Sequence, residues 1–376
     1  MIYLDHNATT PLDERVLDAM LPYLGGFYGN PSGLYRLGRL CRGAIDTARE
    51  QVAALVGARP SEVIFTSGGT EANNLALKGL AACLAPGQVL YGATEHPSVI
   101  EPLRSLRRQG FRLTELPVDA QGQPGSFDPG DRSADELRIA TLMLANNETG
   151  VIHDTAALGD QVHRLGGWFH VDAVQAAGKI PVRFSATGAD TLTLSSHKLQ
   201  GPKGVGALIA HRDAPLEALL HGGGQEYGLR GGTENVAGIV GFGKAAELTL
   251  SELDTHHNVV RRLRLRLEAG LKHLPGITIF AEQATRLPNT VLFSLPDYQG
   301  ESLVMLLDRQ GFAVSSGSAC ANGGGEPSPV LLAMGYDDDR ARSAVRVSLG
   351  RTNNETEINR LLDALAGLMG IARPLI

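Results

Sequence analysis

The sequence predicts an α/β protein built on a mostly parallel sheet, with a smaller α+β unit attached. Three observations lead there. Short apolar runs alternate with helical patterns through the first two thirds of the chain, as in PSEVIFTSGGTEANNLALKGLAA, where Val63 to Thr66 precede a Gly-Gly turn and an alanine- and leucine-rich helix. The runs are continuously apolar instead of alternating with polar residues, the mark of strands buried on both faces. After a long helical pattern beginning at ENVAGIVGFGKAAEL, the character changes near residue 255 toward LPNTVLFSLP, GFAVSSGSACANGG and a terminal helix from about Glu355.

Each βα unit ends its apolar run in polar residues. TSGGTEANN reads as a strand, two glycines and a helix with Thr70 at its N-cap, so free N–H groups and the helix dipole suit an anion there. QVLYGATEHPSVI brings His96 to a turn that Pro97 fixes, and RIATLMLANNETG ends at Asn147. GWFHVDAVQAAG ends at Asp172, with Gln175 three residues on, and ADTLTLSSHK ends in Ser195, His197 and Lys198. Ligands of open α/β sheets sit beyond the carboxyl ends of the strands, so these residues are expected to converge.

Composition narrows the function classes. Over 376 residues, 43% are apolar and 20% charged, ordinary for a globular chain long enough for two units. A net charge of -6 argues against a nucleic-acid surface and gives no reason to expect an anionic membrane partner. Three cysteines (Cys41, Cys83 and Cys320) suit neither a disulfide framework nor a zinc site, so no metal site is expected. The opening MIYLDHNATTPLDER has no basic stretch followed by an apolar one, and the expectation is a cytoplasmic protein. Asp337 to Arg340 and the pair His256-His257 read as solvated surface.

Lys198, in SSHKLQGPKGVG, poses the central choice. It is either a phosphate-holding lysine or an amine that bonds to a carbonyl cofactor. A Walker loop needs glycine, four residues, Gly-Lys and a hydroxyl residue, and GPKGVG lacks that order. A cofactor-binding amine must be deprotonated near neutral pH, which burial and nearby cations achieve. Pyridoxal phosphate would use more than the lysine, since it also needs an acid for its pyridine nitrogen, an anion cup and a flat partner for its ring. Asp172, the TSGGT turn and His96 supply these, and Gln175 falls near the phenolic oxygen.

With those residues in place, the chain resembles the NifS/IscS-type cysteine desulfurases, within the class V aminotransferase family of fold-type I pyridoxal-phosphate enzymes. The resemblance runs nearly end to end through YLDHNATT, GNPSG, TSGGTEANN, EHPSV, ANNETG, HVDAVQAAGK, SSHKLQGPKGVG, GGGQEYGLRGGTEN, SSGSAC, EPSPVL and VRVSLGR, in the family's order. It implies a large domain over 15–255 with a seven-stranded, mostly parallel sheet. A small domain of 1–14 and 256–376 would carry a catalytic cysteine loop at about 316–328.

By the same resemblance, Lys198 binds the cofactor aldehyde, His96 stacks on the ring, Asp172 meets the pyridine nitrogen, and Asn147 and Gln175 contact cofactor or substrate. Gly69, Thr70, Ser195 and His197 form the phosphate cup, which Thr233 of the partner subunit completes in a homodimer. Arg346 clamps the substrate carboxylate, assisted by Asn30 and Asn147. L-cysteine is the implied substrate, alanine the product, and Cys320 in its Ser/Gly-rich loop the nucleophile that takes the sulfur as a persulfide. A protein acceptor then receives it, for iron–sulfur assembly or for tRNA or DNA thio-modification. Cys41 and Cys83, both on helical patterns, read as packing residues. Two rivals stand beside this reading. A sister pyridoxal enzyme such as a selenocysteine lyase or aminotransferase would not require Cys320, and a non-catalytic sulfur- or metal-binding partner would carry no cofactor.

Overall fold

A computed structural model describes residues 1–127, 136–317 and 326–371. The first strand, β1 (Ile2–Tyr3), leads to helices α1 (Glu14–Leu24) and α2 (Arg36–Val56). Strands and helices then alternate as β2 (Val63–Thr66), α3 (Gly69–Ala82), β3 (Gln88–Gly92), α4 (Pro97–Arg107), β4 (Arg112–Leu116), β5 (Leu137–Thr141), α5 (Thr155–Arg164), β6 (Trp168–Asp172), β7 (Thr191–Ser195) and β8 (Gly206–Ala210). The long α6 (Val236–Lys272) precedes β9 (Thr278–Ile279), β10 (Thr290–Ser294), α7 (Gly300–Arg309), β11 (Phe312–Ala313), β12 (Ser315–Ser316), α8 (Pro329–Ala333), α9 (Asp338–Ser343), β13 (Ala344–Ser348) and α10 (Glu355–Leu368).

The central sheet has seven strands in the order β2-β8-β7-β6-β5-β3-β4, the α/β class that the sequence predicts. Only β8 runs against its neighbours, pairing antiparallel with both β2 and β7. Strands β7 and β8 are buried at every position, as expected for strands covered on both faces. One apolar cluster packs α2, the sheet and the start of α6, including Ile45, Val52, Phe65, Phe169, Leu192 and Phe242. A second gathers Leu4, the later half of α6, β10, β13 and α10, with Leu263, Leu267, Phe293, Val345 and Leu361. A four-stranded sheet, β12-β13-β10-β9, lies in this second region.

Two local details differ from the sequence reading. The N-cap of α3 is Gly68, with no side-chain cap, and Thr70 is already the second helical residue. Helix α6 is continuous for 37 residues and runs through position 255, joining the two apolar clusters. Cys41 is buried on α2 and Cys83 is exposed at the end of α3. Among the described residues no helix is long and apolar enough to cross a membrane.

Candidate active site

The carboxyl ends of the central strands open into a cavity of 460 Å³ lined by Gly69, Thr70, His96, Asn147, Asp172, Gln175, Ser195, His197, Lys198 and Arg346. They arrive on several different supports. Asp172 and Ser195 are the last residues of β6 and β7, and Lys198 closes the 3-10 turn that follows β7. His96 is the N-cap of α4, its ring nitrogen accepting from Ser98 N–H, with Pro97 as the first helical residue. Arg346 comes from the middle of β13, outside the central sheet.

The Lys198 amine is held by main-chain carbonyls of the N-terminal segment, Asn7 O and, at 2.7 Å, Ala8 O. Asn7 uses all its polar atoms. Its N–H donates to Ser348 Oγ at 2.9 Å, and Nδ2 donates to Asn147 O at 3.0 Å and Thr290 Oγ1 at 2.9 Å. Its Oδ1 accepts from Lys179 Nζ and Asn289 Nδ2, both at 2.9 Å, while its carbonyl also takes Gln175 Nε2 at 3.0 Å. Lys179 reaches Gln175 Oε1 as well, which turns the NH2 of Gln175 away from Lys179. Burial, together with Lys198 and Arg346, holds the Lys179 amine well below the usual lysine range.

Asp172 accepts from Asn73 Nδ2 at 2.8 Å and from Val174 N–H at 2.9 Å, which fixes its plane at the cavity wall. Burial lowers the pKa of His96, with Asp172 and Lys198 pulling in opposite directions. His197, 3.1 Å from Thr9 Oγ1 through Nδ1, is pushed down to about 4 by burial and by Lys198 and Lys203. Arg346 is buried and donates to Asp5 Oδ1 at 2.7 Å and Asn147 O at 3.0 Å, while its Nε has no partner among the described residues.

Pyridoxal phosphate fits this donor set. The Ser195 hydroxyl is buried with no partner among the described residues, and the first N–H groups of α3 at Gly69 and Thr70 lie beside it on the same wall. A side chain at Gly69 would meet Val174 Cγ2 at 3.1 Å, a tight contact that the valine side chain would have to relieve. Lys198, Asp172 and His96 then supply an amine, a carboxylate and an imidazole to the rest of the cavity.

Two predicted residues stand elsewhere. Asn30 is exposed and uses its Oδ1 on Ser32 N–H at 2.9 Å, and Thr233 is exposed on the loop before α6. Cys320 lies outside the described residues, between Gly317 and Glu326. Asp5, Asn7, Asn73 and Ser98 line the cavity without having been singled out from the sequence. Their motifs, YLDHNATT, TSGGTEANN and EHPSV, were the available signal.

Comparison with known proteins agrees with this geometry. A family model described as aminotransferase class-V matches residues 2–361. A cysteine desulfurase from Trichormus azollae is 42% identical over 379 aligned positions, covering 100% of this chain and 94% of the relative. Among solved structures, a NifS-like protein superposes with a TM-score of 0.90 at 35% identity, covering 98% of this chain and 99% of that one. SspA in complex with cysteine gives a TM-score of 0.80 at 30% identity over 94% of this chain and 100% of its own. A match spanning both apolar clusters and every wall of the cavity leaves one assignment, and the chain belongs to the aminotransferase class-V family, among its NifS/IscS-type cysteine desulfurases.

Proposed function

We propose that this chain is a pyridoxal-phosphate-dependent cysteine desulfurase that converts L-cysteine and the Cys320 thiol into L-alanine and a Cys320 persulfide. The observation that carries the reading is the convergence of an amine, a carboxylate, an imidazole and a buried guanidinium on one cavity. When bound, the cofactor supplies an aldehyde for an amine and a ring that withdraws electrons from the substrate Cα. Lys198 would hold the aldehyde, Asp172 the pyridine nitrogen, Gln175 the phenolic oxygen, and His96 the ring face. Gly69, Thr70, Ser195 and His197 would take the phosphate, with Thr233 of the partner subunit.

The chain's own residues then divide the work. Arg346 has its fork fixed by Asp5 and Asn147, so it meets the substrate carboxylate already oriented. Lys198 Nζ would take the Cα proton. His96 exchanges protons later in the reaction. Cys320, as thiolate, would attack the substrate sulfur; the S–S bond forms as the C–S bond breaks, and the C–S electron pair stays with Cβ, which takes up a proton, so the products are alanine and persulfide. Asn30 is assigned to the substrate side on the resemblance alone.

The same proposal includes a homodimer, a large domain of 15–255, a small domain of 1–14 and 256–376, and a protein acceptor serving iron–sulfur assembly or tRNA or DNA thio-modification. A cytoplasmic location suits the reduced thiol that Cys320 must present. The relative solved with cysteine supports the substrate. Mass analysis of peptides after a pulse of L-cysteine tests the reading. One added sulfur on the Cys320 peptide with stoichiometric alanine is expected, and none in Cys320→Ala. Alanine release that survives Cys320→Ala would overturn it in favour of a lyase.

A further inference from the structure

Behind the cavity wall, buried side chains from four elements form one hydrogen-bond chain. His170 on β6 has Nδ1 2.9 Å from Thr191 Oγ1 on β7 and Nε2 3.0 Å from Asn73 Oδ1 on α3. Asn73 turns its Nδ2 toward two groups at once, Asp172 Oδ2 and Ser98 Oγ, each at 2.8 Å. Ser98 Oγ is 2.7 Å from His96 Nδ1, and Ser98 N–H donates to that same nitrogen at 3.1 Å.

The direction of every proton follows from the last bond. A main-chain N–H can only donate, so His96 Nδ1 is an acceptor and the neutral ring carries its proton on Nε2. The Ser98 hydroxyl donates to Nδ1 as well, and its oxygen is left to accept from Asn73. The carboxylate of Asp172 needs a donor, which fixes the Asn73 amide with its NH2 toward Asp172 and Ser98. Its oxygen therefore faces His170, which must donate from Nε2 and accept from the Thr191 hydroxyl at Nδ1. Burial keeps His170 neutral, with its pKa pushed down to about 4. The one amide of Asn73 thus serves two residues of the cavity wall that reach it from different elements.

We propose that Asn73 is a positioning residue that ties the orientation of Asp172 to the tautomer of His96, with Ser98 as the link and His170 as the anchor. His96 then presents an N–H, not a lone pair, to the bound molecule, and enters the reaction as a donor. Charging His96 requires a proton on Nδ1, which costs the bond donated by Ser98 N–H and forces the Ser98 hydroxyl to turn from donor to acceptor. The charged groups facing His96 are Asp172 from β6 and Lys198 from the turn after β7, with Glu95 adjacent in the chain.

The inference rests on the cofactor reading above, and its test reads the network without turnover. Cofactor-loaded protein carrying 15N-histidine is titrated by NMR in the absence of L-cysteine, comparing wild type, Ser98→Ala, Ser98→Thr and Asn73→Ala. Wild-type His96 is expected as the Nε2–H tautomer. Ser98→Ala removes one donor to Nδ1 and raises the His96 midpoint by roughly one pH unit, while Ser98→Thr, which keeps the hydroxyl, restores it. Asn73→Ala moves His96 in the same direction and loosens the cofactor severalfold on dialysis, because Asp172 loses a donor. Should Asn73→Ala fail to fold, the Ser98 pair remains decisive. A wild-type Nδ1–H tautomer, an unmoved midpoint in Ser98→Ala, or Ser98→Thr shifting as far as Ser98→Ala would each overturn the inference. A protein without desulfurase activity that titrates as expected would retire the proposed function and leave the network standing.

Discussion

At Glu95, beside His96, the carboxyl is buried, accepts from Thr141 Oγ1 at 3.2 Å and has no partner at Oε2 among the described residues. Burial, reinforced by Asp172, pushes its pKa from 4.5 up to about 8. Between those values the folded chain holds a proton that the unfolded chain has released. The stability contributed by Glu95 therefore falls as pH rises through that window and is fully lost above it. His6, His170 and His197 act in the opposite sense, because burial takes each down to about 4 and the unfolded chain binds their protons first between 4 and 6.5. Glu95→Gln keeps the shape and removes only the carboxyl's share. Its advantage over wild type in thermal unfolding is expected to be small at pH 5 and to grow toward pH 8, by on the order of 1–3 kcal/mol. A difference independent of pH would show that Glu95 ionises in the folded protein as freely as in the unfolded one.

At the scale of elements, the anion cup depends on how β8 meets the start of α3. Gly206 pairs with Thr66 on one side and Ser195 on the other, and a Cβ there would come within 2.7 Å of the Gly68 main chain. Main chain yields less readily than a flexible side chain, so Gly206→Ala must push α3 off the sheet. The expected loss is about 2–4 kcal/mol of stability, together with weaker cofactor retention on dialysis; stability loss with unchanged retention would separate the strand from the cup. That contact also explains what the sequence hid. The run Val63 to Thr66, the ends of β6 and β7 and the residues they carry were legible because local patterning sets them. The cap of α3 was misplaced at Thr70 because a Gly-Gly pair has no side chain to announce which residue ends the turn. Asp5 and Asn7 lie in the motif YLDHNATT, but their pairings were illegible for another reason. Their partners Arg346 and Lys198 lie 341 and 191 residues away, and only the folded chain brings them together. The unit change read near residue 255 similarly hides a helix that crosses it unbroken.

On the whole-molecule scale, apolar exposure is concentrated along one stretch of chain. Helix α1 turns Val16 and Met20 toward the core and leaves Leu17, Leu21 and Leu24 open, while Tyr28 is 80% and Leu34 89% exposed. So many large apolar groups exposed between residues 12 and 40 suit a contact face of the proposed dimer. Tyr227 is exposed six residues before Thr233 in the chain, and an open cup lined by Thr70, His197 and Lys203 lies on the rim of the cavity. The proposed dimer joins these features. If the α1 face is the seam of that dimer and Thr233 of the partner subunit completes the cup as proposed, assembly and cofactor affinity should fail together. Replacing Leu21 and Leu34 with glutamate is expected to halve the mass measured by light scattering and to weaken pyridoxal phosphate binding by roughly tenfold, the value of about one hydrogen bond to a charged group. A variant that stays dimeric would move the interface elsewhere. A monomer that binds the cofactor as tightly as wild type would make each cup self-sufficient and leave Thr233 without a role in it.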